Sequence, residues 1–382
     1  WLGDRMLLSH GGTEDISDLR RYTDAGRHLL ASIGVDVSRY ADLHDESVYG
    51  ALGLQRGTFL NKETFGSDTL LARMGQPSWR DYFAKTPLSA AAQQELVRLY
   101  GSEIDYLEGM SPAEKLEFVQ TTSYEKFLRE YAGIDGEALS YVWECVTWAI
   151  GLDAISTWVA VGEGWPGTAA LGLADYAETG AVQPGESQFC HFPDGNATIT
   201  RLLVRSLVPG VAPGHTLDDV VTARFDYGAL DSSDSEVRVR LNSTAVNVRH
   251  RGNPATAKEV AVRYVRGDRA YEVRAGRCVM ACYNAAIPYI CEELPAAQKE
   301  NLSLAAKAPL IYTKVLLRNW TAFARLGING ARCPGSYFQS ARLTVPVNIG
   351  GYRHSSKPDE PVVLRLRRAP LNPDLRGQPP VE

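Results

Sequence analysis

The chain has 382 residues, 45% of them hydrophobic, and a formal net charge of −5 at neutral pH. A chain of this length can bury two cores, and because its basic residues are dispersed, nucleic acid is not an expected partner. Its six cysteines include no C-x-x-C pair and no nearby histidines at zinc spacing, so the sequence predicts no metal site and no disulfide framework.

The amino-terminal half is predicted to be mainly helical. Residues 16–36 form an amphipathic helix that ends at Gly34, and the pattern from about 40 to 178 stays mostly helical. In SPAEKLEFVQ, Ser111 and Glu114 have the spacing of a capping box. The longest apolar stretch, 141–161, contains acidic residues at depths that a bilayer would penalise, so it is predicted to be buried helix and no membrane span is expected.

Residues 157–176, TWVAVGEGWPGTAALGLADY, contain the spacing G-x-G-x-x-G at Gly162, Gly164 and Gly167, behind the apolar run 158–161. A dinucleotide-binding turn needs a strand before it, and after it a helix, a second strand and an acidic residue about 20 positions on. After Gly167 only 168–178 can be helical before further glycine and proline, and no such strand follows. The sequence therefore favours a loop between helices that contacts no phosphate.

The pattern changes near residue 186. HFPDGNATITRLLVRSLVPG predicts a strand end, a turn over 193–196 and a helix that stops before Pro209. Further strands are predicted near 237–241, 245–248, 260–264 and 271–273, at the doubly covered run 278–282, within LIYTKVLLRNW, and near 343–349 and 362–366. A helix is predicted over 295–308, and the proline-rich tail from Pro370 is expected to fray.

Several of these segments are similar to known proteins. HFPDGNATITRLLVRSLVPG, VMACYNAAIPYICEELPAAQKE and YTKVLLRNWTAFARLG resemble the bacterial spermidine dehydrogenase-like members of the flavin-containing amine oxidase superfamily. The resemblance is strong over 186–366 and looser over 1–185, where LLSHGGTEDI is similar to a glycine pair just past the family's first FAD segment.

The resemblance implies an α/β fold, in which the second part of a monoamine oxidase-type FAD-binding domain is interleaved with a helical block and an antiparallel β substrate domain. The predicted parts are 1–40 beside the FAD domain, 41–185 as the helical block, 186–287 as the second part of the FAD-binding domain, and 288–382 as the β-rich substrate domain. The family's dinucleotide fingerprint and its last FAD-contacting segment would then lie before Trp1 and after Glu382. The chain is expected to be an internal fragment that is inactive alone.

The resemblance also implies FAD as the cofactor and names residues for its site. The expected cofactor-binding residues are Gly11, Gly12, Asp194, Gly195, Asn196, Ala245, Ala281 and Cys282. Ala245 would present backbone to adenine, and Ala281 and Cys282 would end the buried strand with small side chains. Without the resemblance, Asp194 to Asn196 would be read as a turn and helix cap, and Cys282 as ordinary packing.

The implied reaction is oxidation of an amine, such as a polyamine like spermidine, to an imine and then an aldehyde, with hydride transfer to flavin N5. Lys314 is expected to be catalytic, like the superfamily lysine that contacts N5 through a water; alternatively it is an exposed lysine of an edge strand. Glu144 and Asp153, which neighbour several aromatic residues in sequence, are expected to bind a distal ammonium of the substrate, or else to cap or pair within the helical block.

Two other functions stay open at this point. One is a non-catalytic remnant that lacks its nucleotide-binding segments, and the other is an NAD-linked dehydrogenase that uses the turn at 162–167. An esterase is not expected, because LSHGG has no accompanying G-x-S-x-G elbow. The sequence leaves open which amine is oxidised, the electron acceptor and whether the protein is cytoplasmic or periplasmic.

Overall fold

A computed structural model describes residues 2, 4–16, 22–45, 47–72, 78–101, 103–146, 151–173, 190–305, 307 and 309–370. The chain forms two compact units. Unit 1 comprises Trp1–Ser206, Ala212–Arg224 and Pro309–Glu382, and unit 2 comprises Leu207–Val211 and Phe225–Ala308. No helix in the described ranges is long and apolar enough to cross a bilayer.

Unit 1 contains most of the helices. They are α1 (Asp24–Ser32), α2 (Tyr40–Leu43), α3 (Ser47–Gly50), α4 (Lys62–Phe65), α5 (Trp79–Phe83), α6 (Ala90–Tyr100), α7 (Pro112–Thr121), α8 (Tyr124–Lys126), α9 (Gly136–Val146), α10 (Thr157–Gly162), α11 (Ala197–Leu207) and α12 (Leu217–Val220). The predicted capping box is confirmed at the start of α7, where Ser111 and Glu114 bond each other's backbone N–H groups. Fully buried side chains such as Leu96, Leu99 and Phe127 form the helical core.

The G-x-G-x-x-G segment follows a helix, because the run 158–161 lies within α10. Gly167 has a φ of +81°, and a Cβ there would lie 2.6 Å from Leu99 Cδ1 of α6. Packing and backbone conformation thus account for this glycine. The strand that a dinucleotide-binding turn requires is missing here, as the sequence context predicted.

A six-stranded sheet also belongs to unit 1. Its order is β3 (Thr69–Ala72), β2 (Gln55–Leu60), β9 (Ile328–Arg332), β10 (Ser340–Leu343), β11 (Val362–Arg368) and β8 (Ile311–Leu317). Only β2 and β9 pair in parallel among these described strands. Strands β2 and β3 interrupt the stretch 40–178 that the sequence predicts to be mostly helical, and β2 pairs with a strand some 270 residues later.

A short antiparallel pair, β1 (Asp15–Ile16) and β4 (Cys190–His191), sets the positions of two loops in unit 1. The predicted strand end, turn over 193–196 and following helix are confirmed as β4, a turn and α11. The α/β class and the largely antiparallel sheet are also confirmed. Residues 371–382 of the proline-rich tail lie outside the described residues.

Unit 2 contains the antiparallel sheet β5 (Thr244–His250), β6 (Val260–Arg266) and β7 (Arg269–Ala275), followed by α13 (Ile287–Ile290) and α14 (Ala296–Ser303). In unit 1, α15 (Thr321–Leu326) follows β8. The strand predicted at 237–241 is wrong. Arg238 and Arg240 both bond Asp231, and Val239 bonds the carbonyl of Leu230, so this segment follows the preceding turn instead of joining the sheet.

The doubly covered strand predicted at 278–282 is also wrong. These residues are irregular, and Val279 is 88% exposed. A strand buried on both faces needs neighbouring strands and covering layers, and no strand in the described part of unit 2 pairs with this segment. An apolar run alone therefore did not specify a strand here.

Candidate functional site

The loop 10–15 of unit 1 lies against strands β8 and β11 and centres on His10, which is only 1% exposed. His10 Nδ1 lies 3.0 Å from the carbonyl oxygen of Gly12 and must donate to it, so Nε2 carries the lone pair. That Nε2 accepts from Lys314 Nζ at 2.7 Å and from Arg365 Nη1 at 3.2 Å. A single neutral histidine therefore holds two cations of the sheet.

The protonation of this group is set mainly by burial. Loss of solvation lowers the pKa of Lys314 to about 8. It also lowers the pKa of His10 to about 4, with a further contribution from the positive charge of Lys314. At neutral pH the pair consists of a neutral imidazole and a lysine that is mostly protonated but titrates far below its ordinary range.

The loop 10–15 also contains two carboxylates, Glu14 and Asp15, that bind basic side chains of neighbouring strands. Glu14 forms an ion pair with Arg365, and Asp15 Oδ1 accepts from His191 Nδ1 at 2.7 Å across the β1–β4 pair. The ligand atoms of Glu14, Asp15 and His191 lie within 4.8 Å of one another, close enough for one metal ion. The ion pair and the hydrogen bond engage the same groups, however, so a cation would have to break both.

The turn 193–196 packs directly against this loop. Gly195 has a φ of +64°, and a Cβ there would lie 2.5 Å from His10 Cβ and 2.7 Å from the carbonyl oxygen of Thr13. The backbone N–H of Asn196 donates to the same Thr13 oxygen at 3.0 Å, and its side-chain amide donates to the Asp15 carbonyl at 3.1 Å. The loop and the turn are thus one structural element, which only glycine permits at position 195.

Several features suit this element to a flat aromatic ligand. A Cβ added at Gly11 or Gly12 would meet nothing within 4 Å, so their backbone faces open space. Among the described residues, the buried atoms Ser9 Oγ and Asn196 Oδ1 have no hydrogen-bond partner. Unpaired buried polar atoms are costly, and a ligand that bonds them would remove that cost.

The structure thus brings together Gly11, Gly12, Gly195, Asn196 and Lys314, which the sequence named from three separate segments. Asp194 lies in the same turn, where its carboxylate accepts from the Thr198 hydroxyl and burial raises its pKa. That bond is one a helix cap would make. Lys314 lies on β8, which is the edge strand of the described sheet, but its side chain is half-buried and bonded to His10 instead of exposed.

The other predicted residues belong to different structural elements. Ala245 is in β5 of unit 2, and Ala281 and Cys282 are exposed in the irregular segment, which corrects the expectation that they end a buried strand. Asp153 is half-buried in a turn before α10. Glu144 belongs to α9, but its side chain, like residue Trp148, lies outside the described residues.

Sequence reasoning missed the residues that connect the site: His10, Glu14, Asp15, His191 and Arg365. The pattern SHGG drew attention to the glycines and to an esterase loop, although the histidine before them holds the lysine. His191 sits in the predicted strand end, and Arg365 alternates with Leu364 and Leu366 in β11. Their proximity depends on strand pairings between segments some 175 and 50 residues apart, which local patterns do not report.

No protein-family profile matches the chain. No curated protein matches it either. Among solved structures, it is similar to putrescine oxidase bound to putrescine, at 12% identity and a TM-score of 0.43, over 98% of this chain and 71% of that one. Cyclohexylamine oxidase from Brevibacterium oxydans matches at 12% identity and a TM-score of 0.39, over 97% and 72%. These similarities assign no activity, so the function proposed below rests on the site residues.

Proposed function

We propose that the protein is an FAD-dependent oxidoreductase that oxidises a small-molecule amine. The observation that carries this proposal is the meeting at His10 of three segments that the resemblance assigns to a flavin site: the glycine pair 11–12, the turn 194–196 and Lys314. These segments are separated by more than 100 residues along the chain, and nothing in their local patterns requires them to meet.

The residues fit a flavin in three ways. Gly11 and Gly12 expose backbone without side-chain obstruction, Ser9 Oγ and Asn196 Oδ1 are unpaired buried groups, and Lys314 is a half-buried cation. These residues would hold the ring-bearing part of FAD. Ala245, Ala281 and Cys282 of unit 2 stay cofactor contacts that only the resemblance implies.

Bound FAD would supply a hydride acceptor for the α-carbon of the amine. The chain supplies orientation and proton control. His10 fixes the direction of the Lys314 ammonium, which can in turn hold a water molecule for hydrolysis of the imine product. A polyamine substrate is the finer proposal from the resemblance, and Glu144 and Asp153 are proposed as partners for its distal ammonium because aromatic residues neighbour them in the sequence.

Flavin binding tests this proposal most simply. The protein expressed from its complete coding sequence should bind FAD stoichiometrically and release it on denaturation. A matched variant, Lys314→Met, should retain most of that binding, because Lys314 is proposed to act on the chemistry and water rather than to anchor the cofactor.

Failure to bind FAD under conditions where the protein is folded would contradict the proposal and favour the non-catalytic remnant. Binding of NAD in its place would revive the dehydrogenase alternative. That alternative has lost its structural basis at 158–161, because this run is helical.

A further inference from the structure

One face of the six-stranded sheet is strongly cationic. The register aligns Lys314 with Arg365, Arg365 with Arg342, Arg342 with Gly330, and Gly330 with Arg56. Directly paired residues lie on the same face of a sheet, as do residues two positions apart. The next row therefore adds Arg367 and Arg332 to this face. We call Arg56, Arg332, Arg342, Arg365, Arg367 and Lys314 the cationic face.

Several charges of this face have partners, among them Arg332 and Arg367. Glu14 pairs with Arg365, while Asp15, which influences Arg342 electrostatically, already accepts from His191. No hydrogen bond or ion pair to another described residue engages the guanidinium of Arg342, although that side chain is half-buried. Buried or half-buried guanidinium groups normally have anionic or carbonyl partners.

Like charges also lie close together at this end of the face. The pKa of Arg56 is lowered to about 10, by loss of solvation and then by the charges of Arg342 and Arg332. Burial lowers the pKa of Arg342 as well. A Cβ at Gly330 would lie 2.9 Å from Arg342 Cγ, so the absence of a side chain at Gly330 makes room for Arg342. This arrangement accommodates a guanidinium that no described residue hydrogen-bonds, although the charge of Asp15 acts on it from a distance.

We propose that the cationic face binds the acidic group, a carboxylate or phosphate, of an amine substrate, with Arg342 as the principal donor. This inference rests on the proposed amine oxidation. Lys314 and Arg342 are two strands apart, about 10 Å between backbones at ordinary strand spacing. An acidic group at Arg342 would therefore leave the amine of a compact substrate on the Lys314 side.

The same charges oppose a polyamine. A dication that approached Lys314 would meet further positive charge from Arg342, Arg365 and Arg56, whereas an amine that also bears an acid would be attracted. The inference thus replaces the polyamine with a zwitterionic or acidic amine as the favoured substrate class.

Anion binding can be measured without turnover. Calorimetric titration of the protein with benzoate and with inorganic phosphate should detect binding of at least one of them, and Arg342→Gln should weaken it at least tenfold. Arg342→Lys should restore part of the affinity. Arg368→Gln is the matched control: Arg368 is on the same strand as Arg365 but on the opposite face, where it donates to the Tyr337 carbonyl, and its replacement should leave affinity unchanged. Absence of anion binding, or equal binding by Arg342→Gln, would overturn the inference.

A second experiment compares the oxidation of two amines that differ only in a carboxylate. Ornithine is putrescine with an added carboxylate, and the inference predicts at least tenfold higher kcat/KM for ornithine. Arg342→Gln should remove that preference: kcat/KM should fall for ornithine and rise for putrescine, because the charge that attracts the carboxylate and repels the dication is gone. Preference for putrescine in the wild-type protein would overturn the inference.

FAD itself carries phosphates, and the cationic face could bind these anionic groups in place of the acidic group of a substrate. If Arg342→Gln lowers FAD affinity while benzoate binding is unchanged, the face serves the cofactor and the inference is wrong. If neither amine is oxidised but benzoate binding depends on Arg342, the anion site stands and only the proposed function fails.

Discussion

Lys314 Nζ donates to His10 Nε2 over 2.7 Å, and the opposite nitrogen of the same imidazole donates to the Gly12 carbonyl. This relationship joins the carboxy-terminal sheet of unit 1 to its glycine-bearing loop through one buried ring. It means that the direction of the lysine ammonium depends on a loop some 300 residues earlier in the chain.

Lys314 should give the flavin half-reactions a pH dependence. Its pKa is lowered to about 8, so the assisting ammonium is present below that pH and lost above it. We expect the rate of reoxidation or imine release to fall as the pH rises through about 8. Lys314→Met should be slower at pH 7 and should lack this transition, as measured by stopped-flow absorbance. A variant with wild-type rates in both half-reactions would exclude the proposed role.

His10 should contribute to acid destabilisation. Its pKa is about 4 in the folded protein against 6.5 when unfolded, so the unfolded chain binds the extra proton between these values and stability falls as the pH drops from 6.5 to 4. The full contribution to the free energy of unfolding is about 3 kcal/mol, because a tenfold difference in proton affinity between the two states corresponds to about 1.4 kcal/mol.

The test compares urea denaturation of wild type and His10→Gln at pH 7 and pH 4. The stability advantage of the wild type should shrink at pH 4, because the glutamine variant has no proton to gain. His354→Gln in unit 1 is a positive control. Burial also lowers the pKa of His354 to about 4, so the stability difference between this variant and the wild type should shrink at pH 4 in the same way. A constant difference between wild type and His10→Gln across this range would show that His10 keeps an ordinary pKa.

Gly195 should be intolerant of any side chain. Valine there would place Cβ against His10 and the Thr13 carbonyl at a positive φ, and we expect a loss of at least about 2 kcal/mol together with reduced flavin occupancy. Equal melting temperatures for Gly195→Val and wild type would contradict the close contact between turn and loop.

Gly12→Ala should affect FAD affinity without affecting the thermal stability of the protein. A Cβ at Gly12 meets nothing within 4 Å, so thermal stability without flavin should change little, whereas FAD affinity should fall if the ring approaches this backbone. Titration of the variant with FAD measures that affinity, and a value equal to that of the wild type would place the ring away from Gly12.

The sequence predicted those parts of the molecule that local patterns encode. The capping box at Ser111, the turn before α11 and strand β8 all follow from short-range residue preferences. The prediction failed where pairing is distant: β2 joins a sheet with a strand far along the chain, and the apolar run 278–282 has no pairing strand among the described residues.

The site residues also divide into those that a short sequence segment identifies and those that depend on distant contacts. Lys314 and the glycines were identifiable because their segments resemble the amine oxidase superfamily, and lysine is also unusual on an apolar strand. His10 and Arg365 were not, since their importance lies in contacts made across 304 and 355 positions of sequence separation. The cationic face likewise becomes visible only when the strand register is known.

One measurement tests the central claim most directly: the visible absorbance spectrum of the protein from its complete coding sequence, recorded anaerobically before and after addition of an amine. The account predicts an oxidised flavin spectrum that bleaches on addition of amine and returns when an electron acceptor is admitted, with ornithine more effective than putrescine. A folded protein with no flavin spectrum after incubation with FAD, or a bound flavin that neither amines nor amino acids reduce, would contradict it.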